Sequence, residues 1–194
     1  MKICVSNSFS FLLIFSILFF SFTFFFFGEN FYVSTIDQLR NAIAEAAMND
    51  EDDAIYLSGG EYHIDDTLVY YVFGDGCLDI GPENSSELPI LIWEGSLNLP
   101  MLYIDKDHGN NGIGFSGYIG IRNIEFVGAG ARVFSQGVHY KGGATNLYIE
   151  GCSFRDFNAS EKGGGIIFYN NSGNVVLDNN YFGNNSAQNS GGSI

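Results

Sequence analysis

Leu147-Tyr148-Ile149-Glu150-Gly151-Cys152-Ser153-Phe154 decides the fold, because the same pattern stands 28 residues earlier, ending at Phe126, and 28 residues later, ending at Phe182. Ile119, Leu147 and Val175 fall together, as do Ile121, Ile149 and Leu177. Twelve residues after each Phe come Val138, Ile166 and Ile194. The first of these follows Gly137; the other two follow Gly163-Gly164-Gly165 and Gly191-Gly192-Ser193. A fixed period of this kind is the sequence mark of a solenoid, and it outranks any local motif.

Each repeat reads alike. An alternating strand opens it, Ile119-Gly120-Ile121, Leu147-Tyr148-Ile149 or Val175-Val176-Leu177, with apolar members on one face. A corner follows at Asn123, Gly151 or Asn179, residue types that tolerate the left-handed backbone of a sharp turn. The Phe then turns inward, a polar loop and the glycines come next, and a second strand closes the coil. No coil can bury its apolar face alone. Stacked ~4.8 Å apart, coils bury each Phe against the next, at about 1.5–3 kcal/mol per ring. The dense leucine pattern of a horseshoe repeat is absent, and the Gly and Asn content disfavours a helical repeat.

Upstream, residues 35–47 carry the helical period, with Ile36, Leu39, Ala42 or Ile43, and Ala46 on one face. Thr35 is the expected cap, with Gln38 as its capping-box partner. The acidic run Asp50-Glu51-Asp52-Asp53 is expected to end the helix as a solvated turn and not as a Ca²⁺ loop, since no Gly-spaced ligand set follows. Short strands are predicted at 54–57, 62–64, 68–73, 89–93 and 101–104. Gly59-Gly60, Gly74-Asp75-Gly76, Gly81-Pro82-Glu83-Asn84 and residues 107–112 are the breakers between them.

Residues 1–28 are a different text: Lys2, then an apolar run over 9–27 interrupted by Ser10, Ser16, Ser21 and Thr23. This reads as a secretory signal peptide or a retained signal-anchor, with a Phe-rich low-complexity start as the remaining alternative. Either targeting reading puts residues 29–194 outside the cytoplasm, secreted or at the cell surface, with membrane contact only through the N-terminal segment.

The chain has a formal net charge of −14 and only eight Lys and Arg, which argues against nucleic acid and against an anionic membrane surface. Cys77 and Cys152 can pair in an oxidising compartment, but Cys152 shares a ladder position with Ile124 and Asn180, which suits a small packed thiol. His63, His108 and His139 stand apart and no Cys/His cluster suggests a metal, so no metal or cofactor is expected.

Three segments resemble right-handed parallel β-helices of the pectin-lyase-like superfamily. Leu39-Arg40-Asn41-Ala42-Ile43 through Ala54-Ile55-Tyr56-Leu57 to Gly60-Glu61-Tyr62 is similar to the helix-then-strand cap of such solenoids. Leu88-Pro89-Ile90-Leu91-Ile92 is similar to their early coils. Phe182-Gly183-Asn184-Asn185-Ser186-Ala187 with Gly191-Gly192-Ser193-Ile194 resembles the F-x-x-N and G-G-x-I motifs of polymorphic outer-membrane protein repeats. The preceding coil keeps Gly163-Gly164-Gly165-Ile166 and Ala159 but has Phe157 where the Asn belongs. The resemblance covers residues 33–194 and implies an all-β parallel β-helix with a capping helix at 35–47 and clear coils from 118. It also implies a secreted or surface-displayed adhesin-like protein. Such proteins carry more coils, so residues 29–194 are expected to be an incomplete solenoid, open at Ile194 and prone to end-to-end self-association.

The outward positions of the three first strands are Arg122, Glu150 and Asp178. Carboxylates and bases on β-helix faces serve lyases and hydrolases, but the plainer expectation is a solvated surface ladder in which Arg122 screens Glu150. Asp65-Asp66 and Asp105-Lys106-Asp107-His108 read as plain polar turns. Gly163-Gly164-Gly165 lacks the Lys and helix of a phosphate cradle and reads as close coil-to-coil approach. Asn84, Asn158, Asn170 and Asn184 are N-x-S/T acceptors for glycosylation in a eukaryotic host. The function expected is adhesive or structural and non-catalytic, toward a surface carbohydrate or protein; the alternative is a pectate-lyase-like lyase or a glycosidase.

Overall fold

The structure, a computed structural model, describes residues 28–49, 51–71, 76–96, 99–105, 117–130, 133–141, 145–160, 162–169, 173–189 and 191–194. Residues 1–27 of the expected leader, Asp50, residues 72–73 of the strand expected at 68–73, breaker residues 74–75 and 107–112, the turn residues 106–108 and Asn170 lie outside them.

The elements in chain order are β1 (Asn30–Val33), α1 (Ile36–Met48), β2 (Asp53–Leu57), β3 (Gly60–Ile64), β4 (Leu68–Tyr71), β5 (Leu78–Pro82), β6 (Pro89–Trp93), β7 (Leu99–Asp105) and β8 (Tyr118–Arg122). They continue with β9 (Glu125–Val127), β10 (Ser135–Lys141), β11 (Asn146–Glu150), β12 (Ser153–Arg155), β13 (Asn158–Ala159), β14 (Ile166–Tyr169), β15 (Val175–Asp178), β16 (Tyr181–Gly183) and β17 (Ser186–Ala187). Sheet A runs β1-β2-β5-β8-β11-β15, sheet B β16-β12-β9-β6-β3, sheet C β14-β10-β7-β4, and sheet D pairs β13 with β17. Every pairing is parallel. The chain therefore visits A, B and C in turn and returns to A one strand further along. Among the described residues the class is mostly β with one helix, and this order is consistent with a β-helix, solenoid-like fold.

The 28-residue register is the pairing register: Leu147 lies between Ile119 and Val175, and Phe154 between Phe126 and Phe182. The Phe126 and Phe154 rings stack at 4.8 Å and 4°, and Phe154 and Phe182 at 5.3 Å and 12°. The ladder continues upstream through Leu91 and Tyr62, which the repeat does not reveal. Tyr62 carries a hydroxyl into this core, where it donates to the Val33 carbonyl at 2.9 Å.

Corners form where expected, with φ of 53° at Asn123, 64° at Gly151 and 52° at Asn179. A second set stands at Asp156 (62°) and Asn184 (54°). Asparagines behind these corners tie coils together. Asn180 accepts from the Cys152 amide at 2.9 Å and donates to the Ile149 carbonyl at 2.7 Å. Asn185 accepts from the Phe157 amide at 3.0 Å and donates to the Phe154 carbonyl at 2.8 Å. The Asn of the F-x-x-N motif thus satisfies backbone groups of the coil before it. The glycines mark close approach: a Cβ on Gly137 would sit 2.3 Å from the Gly165 carbonyl oxygen, and one on Gly165 2.7 Å from that of Ser193.

Thr35 caps α1 and accepts from the Gln38 amide at 3.3 Å. Gln38 reaches one residue further back than a capping box requires, to the Ser34 amide at 2.8 Å. The helix buries Leu39, Ala42, Ile43, Ala46 and Ala47 against β1 to β4.

Several expectations need correction. β1 and β5 were not foreseen; Gly81 and Pro82 end β5 instead of breaking it, and the next ladder bond comes from the Glu83 amide to Leu57 at 2.8 Å. Asp53 belongs to β2 and is buried, not part of a solvated turn; its Oδ1 accepts from the Glu29 amide at 2.9 Å. Asp105 is the last residue of β7, buried at 3% exposure, and not a loop residue. Val175, expected inside, is 37% exposed, because it has a described coil on one side only, and Ile194, expected at an open edge, is 53% exposed. Cys152 is a buried thiol, in keeping with its packed ladder position. Burial pushes the Cys152 thiol up to about 11.

Candidate functional site

Strand alternation sends residues of β8, β11 and β15 to the outer face of sheet A, and the register places Arg122 opposite Glu150 and Glu150 opposite Asp178. Arg122 Nε lies 3.7 Å from Glu150 Oε2. Its tighter partner is one the sequence did not single out: Arg122 Nη1 donates to Asp79 Oδ1, from β5. Tyr118, at the start of β8, donates its hydroxyl to Asp79 Oδ2 at 2.8 Å. Asp178 stands apart from this cluster and accepts from the Asn179 side chain at 3.2 Å.

Gly120 makes the cluster possible. It lies opposite Asp79, and a Cβ there would come within 2.0 Å of Asp79 Oδ1 and 3.4 Å of Arg122 Cζ. In the next coils the same position holds Tyr148 and Val176. The missing side chain leaves room for Asp79 and Arg122 to meet across it.

The hydrogen bond that Arg122 donates to Asp79 raises its guanidinium above its ordinary value. Donation to the same carboxylate, then burial, raises the Tyr118 hydroxyl. The cluster sets a guanidinium between two carboxyl groups, with a phenol hydroxyl donating to one of them. Arg122 is 40% exposed, so its pairs contribute little stability. Beside it an open trough of about 470 Å³ is lined by Tyr56, Asp79, Gly81, Glu83, Ser85 and Arg122 among others. This arrangement can exchange hydrogen bonds with a surface ligand. Its cation is already committed to Asp79 and Glu150.

Other basic side chains are matched in the same way. Arg155 meets Glu125 and, at 3.0 Å, Asp156; Lys141 meets Asp105 at 2.9 Å; Arg40 meets Asp65 at 2.5 Å. Among the described residues, no group of three or more His, Cys, Asp or Glu is placed to hold a metal ion.

The glycosylation acceptors are scattered. Asn84 is exposed in the turn after β5, where its side chain accepts from the Ser86 amide at 3.2 Å. Asn158 is half-buried in β13 and accepts from the Ser186 hydroxyl at 2.9 Å. Asn184 is exposed and donates to Asp156 at 3.2 Å.

Asp79 and Tyr118 escaped sequence reading for a clear reason. Asp79 pairs with Gly120, a step longer than the 28-residue period, and its strand is bracketed by breakers. The alternation Leu78-Asp79-Ile80 was the available signal. The chain matches no family model, no curated protein and no solved structure.

Proposed function

We propose that the chain is a right-handed parallel β-helix of the pectin-lyase-like kind, nearest to polymorphic outer-membrane protein repeats, carried outside the cytoplasm by residues 1–28 and adhesive or structural in role. The observation that carries this reading is the pairing of cations on the outer faces: Arg122 with Asp79 and Glu150, Arg155 with Glu125 and Asp156, Lys141 with Asp105. Removing a proton beside a glycan carboxylate builds negative charge that a preorganised cation must meet. A guanidinium already shared by two carboxylates in a chain of net charge −14 is ill suited to that task. Stacked coils with self-satisfied ladders suit display and contact. Secretion is supported by the apolar run at 9–27 behind Lys2.

A carbohydrate-active enzyme is the second reading, favoured by the acidic trough where Asp79 and Glu83 flank Arg122. Incubating the purified chain with pectate, chondroitin and neutral polysaccharides, with and without Ca²⁺, separates the two. The expected result is no product above blank. Turnover that disappears in Asp79→Asn or Glu150→Gln would put the enzyme first.

A further inference from the structure

The outer face of sheet C carries a feature unlike the charged ladder of sheet A. Its outward positions put Tyr103 opposite His139, and Tyr71, Asp105, Lys141 and Tyr169 in one row. The four rings form an unbroken run. Tyr71 meets Tyr103 edge-on with centroids 6.0 Å apart, Tyr103 meets His139 edge-on at 5.0 Å, and His139 stacks on Tyr169 at 5.0 Å and 24°. Tyr71 and Tyr169, at the two ends, are 38% and 45% exposed.

Within this run lies an ion pair. The Asp105 side chain is only 4% exposed although its register position faces outward. It accepts from Lys141 Nζ at 2.9 Å and from the Tyr103 hydroxyl at 3.3 Å. The carboxylate thus holds an ammonium and a phenol in place among aromatic rings. Burial lowers the His139 imidazole below its ordinary value, which leaves it neutral at pH 7.

We propose that this face is a binding platform for an uncharged oligosaccharide, whose sugar rings lie against Tyr71, Tyr103, His139 and Tyr169 and whose hydroxyls meet the Lys141 ammonium and the tyrosine hydroxyls. The inference rests on the adhesive reading above and names its ligand class. Charge selects the ligand. Asp105 and Lys141 cancel, so the patch offers no net charge to attract an ion. A net charge of −14 on the chain repels acidic polymers, and the Asp105 carboxylate, 4% exposed and already paired with Lys141, is not offered to a cation. An uncharged partner with apolar faces and many hydroxyls is what remains, and aromatic rings with polar tips bind such surfaces by combining apolar contact with hydrogen bonds. A ligand built of repeating rings meets one side-chain ring per strand crossed.

The test uses the full chain on immobilised glucan, xylan, mannan, galactan and chitin oligosaccharides, with pectate as the acidic comparison. Saturable binding to at least one neutral glycan is expected. Tyr169→Ala and Tyr71→Ala should each weaken it about tenfold without changing the melting temperature. Tyr32→Ala, on the outer face of sheet A and 63% exposed, should leave it unchanged. Binding to none of the neutral glycans, binding to pectate alone, or binding indifferent to both sheet C substitutions would overturn the proposal. Product release is followed in the same samples. Binding with cleavage keeps the platform and removes the non-catalytic reading; neither binding nor cleavage removes the platform and leaves that reading standing.

Discussion

Phe154 shows what one residue contributes. Its ring is fully buried and stacked between two others. Phe154→Ala should destabilise by about 3–5 kcal/mol, the usual loss for a buried Phe. Phe182→Ala should lose less, since Phe182 is only half-buried. Denaturant midpoints measure both, and an unchanged midpoint for Phe154→Ala would contradict the coil register. Asp53 contributes in the opposite sense. Burial raises its carboxyl above the ordinary 3.8, against the opposing hydrogen bond from the Glu29 amide. A carboxyl with a raised folded pKa favours folding below its unfolded value, and that contribution is lost as pH rises through the folded one. Stability should therefore carry a falling component from roughly pH 4 upward. Asp53→Asn keeps an oxygen for the Glu29 amide and should flatten that component. Urea midpoints across the range check it; a slope identical in the variant would show that Asp53 is not its source.

At the scale of the element, the corner is the unit that the repeat conserves in form while its chemistry changes. The corner behind Phe182 uses Asn185 to satisfy the Phe157 amide and the Phe154 carbonyl, whereas the previous coil fills the same place with the buried ring of Phe157. Asn185→Ala leaves two backbone groups without their partner and should cost about 1–3 kcal/mol, the penalty for unsatisfied buried polar groups. Thermal melts of the variant measure it, and a loss within error would show that water replaces the side chain. The helix α1 works by the same accounting of backbone groups. Thr35 and Gln38 cover orphan amides at its start, and its apolar stripe covers β1 to β4.

For the whole molecule, parallel stacking makes stability nearly one-dimensional, each coil held by its neighbours. In sheet A, β5, β8 and β11 have partners on both sides, while β15 has one and is largely exposed. Amide exchange should be slowest in β8 and β11 and fastest in β15 to β17. Uniform protection along the stack would instead mean one cooperative unit. The same geometry separates the two outer faces: sheet A presents a ladder in which Arg122 lies between two carboxylates, and sheet C an aromatic run around the buried Asp105 carboxylate and its Lys141 partner.

The sequence by itself determined the coil wherever coils repeat at constant length. Ile121, Ile149, Phe126 and Phe154 fall inside because a strand alternates faces and the spacing stays at 28 residues. It determined α1 from its 3.6-residue period and its cap, and the corners from Asn and Gly. It also put Arg122 beside Glu150. Only the tertiary structure decided the earlier coils, because the circuit from Leu78 to Ile119 is longer than the repeat and erases the period. It alone brought Asp79 to Arg122, since that meeting depends on a vacancy at Gly120 in a neighbouring strand. It alone buried Asp105, which in sequence sits at the edge of a polar run. The physical reason is common to all three. A period records contacts made at equal spacing along the chain, whereas pairs such as Asp79 with Arg122 and Asp105 with Lys141 join coils whose spacing in sequence follows no rule.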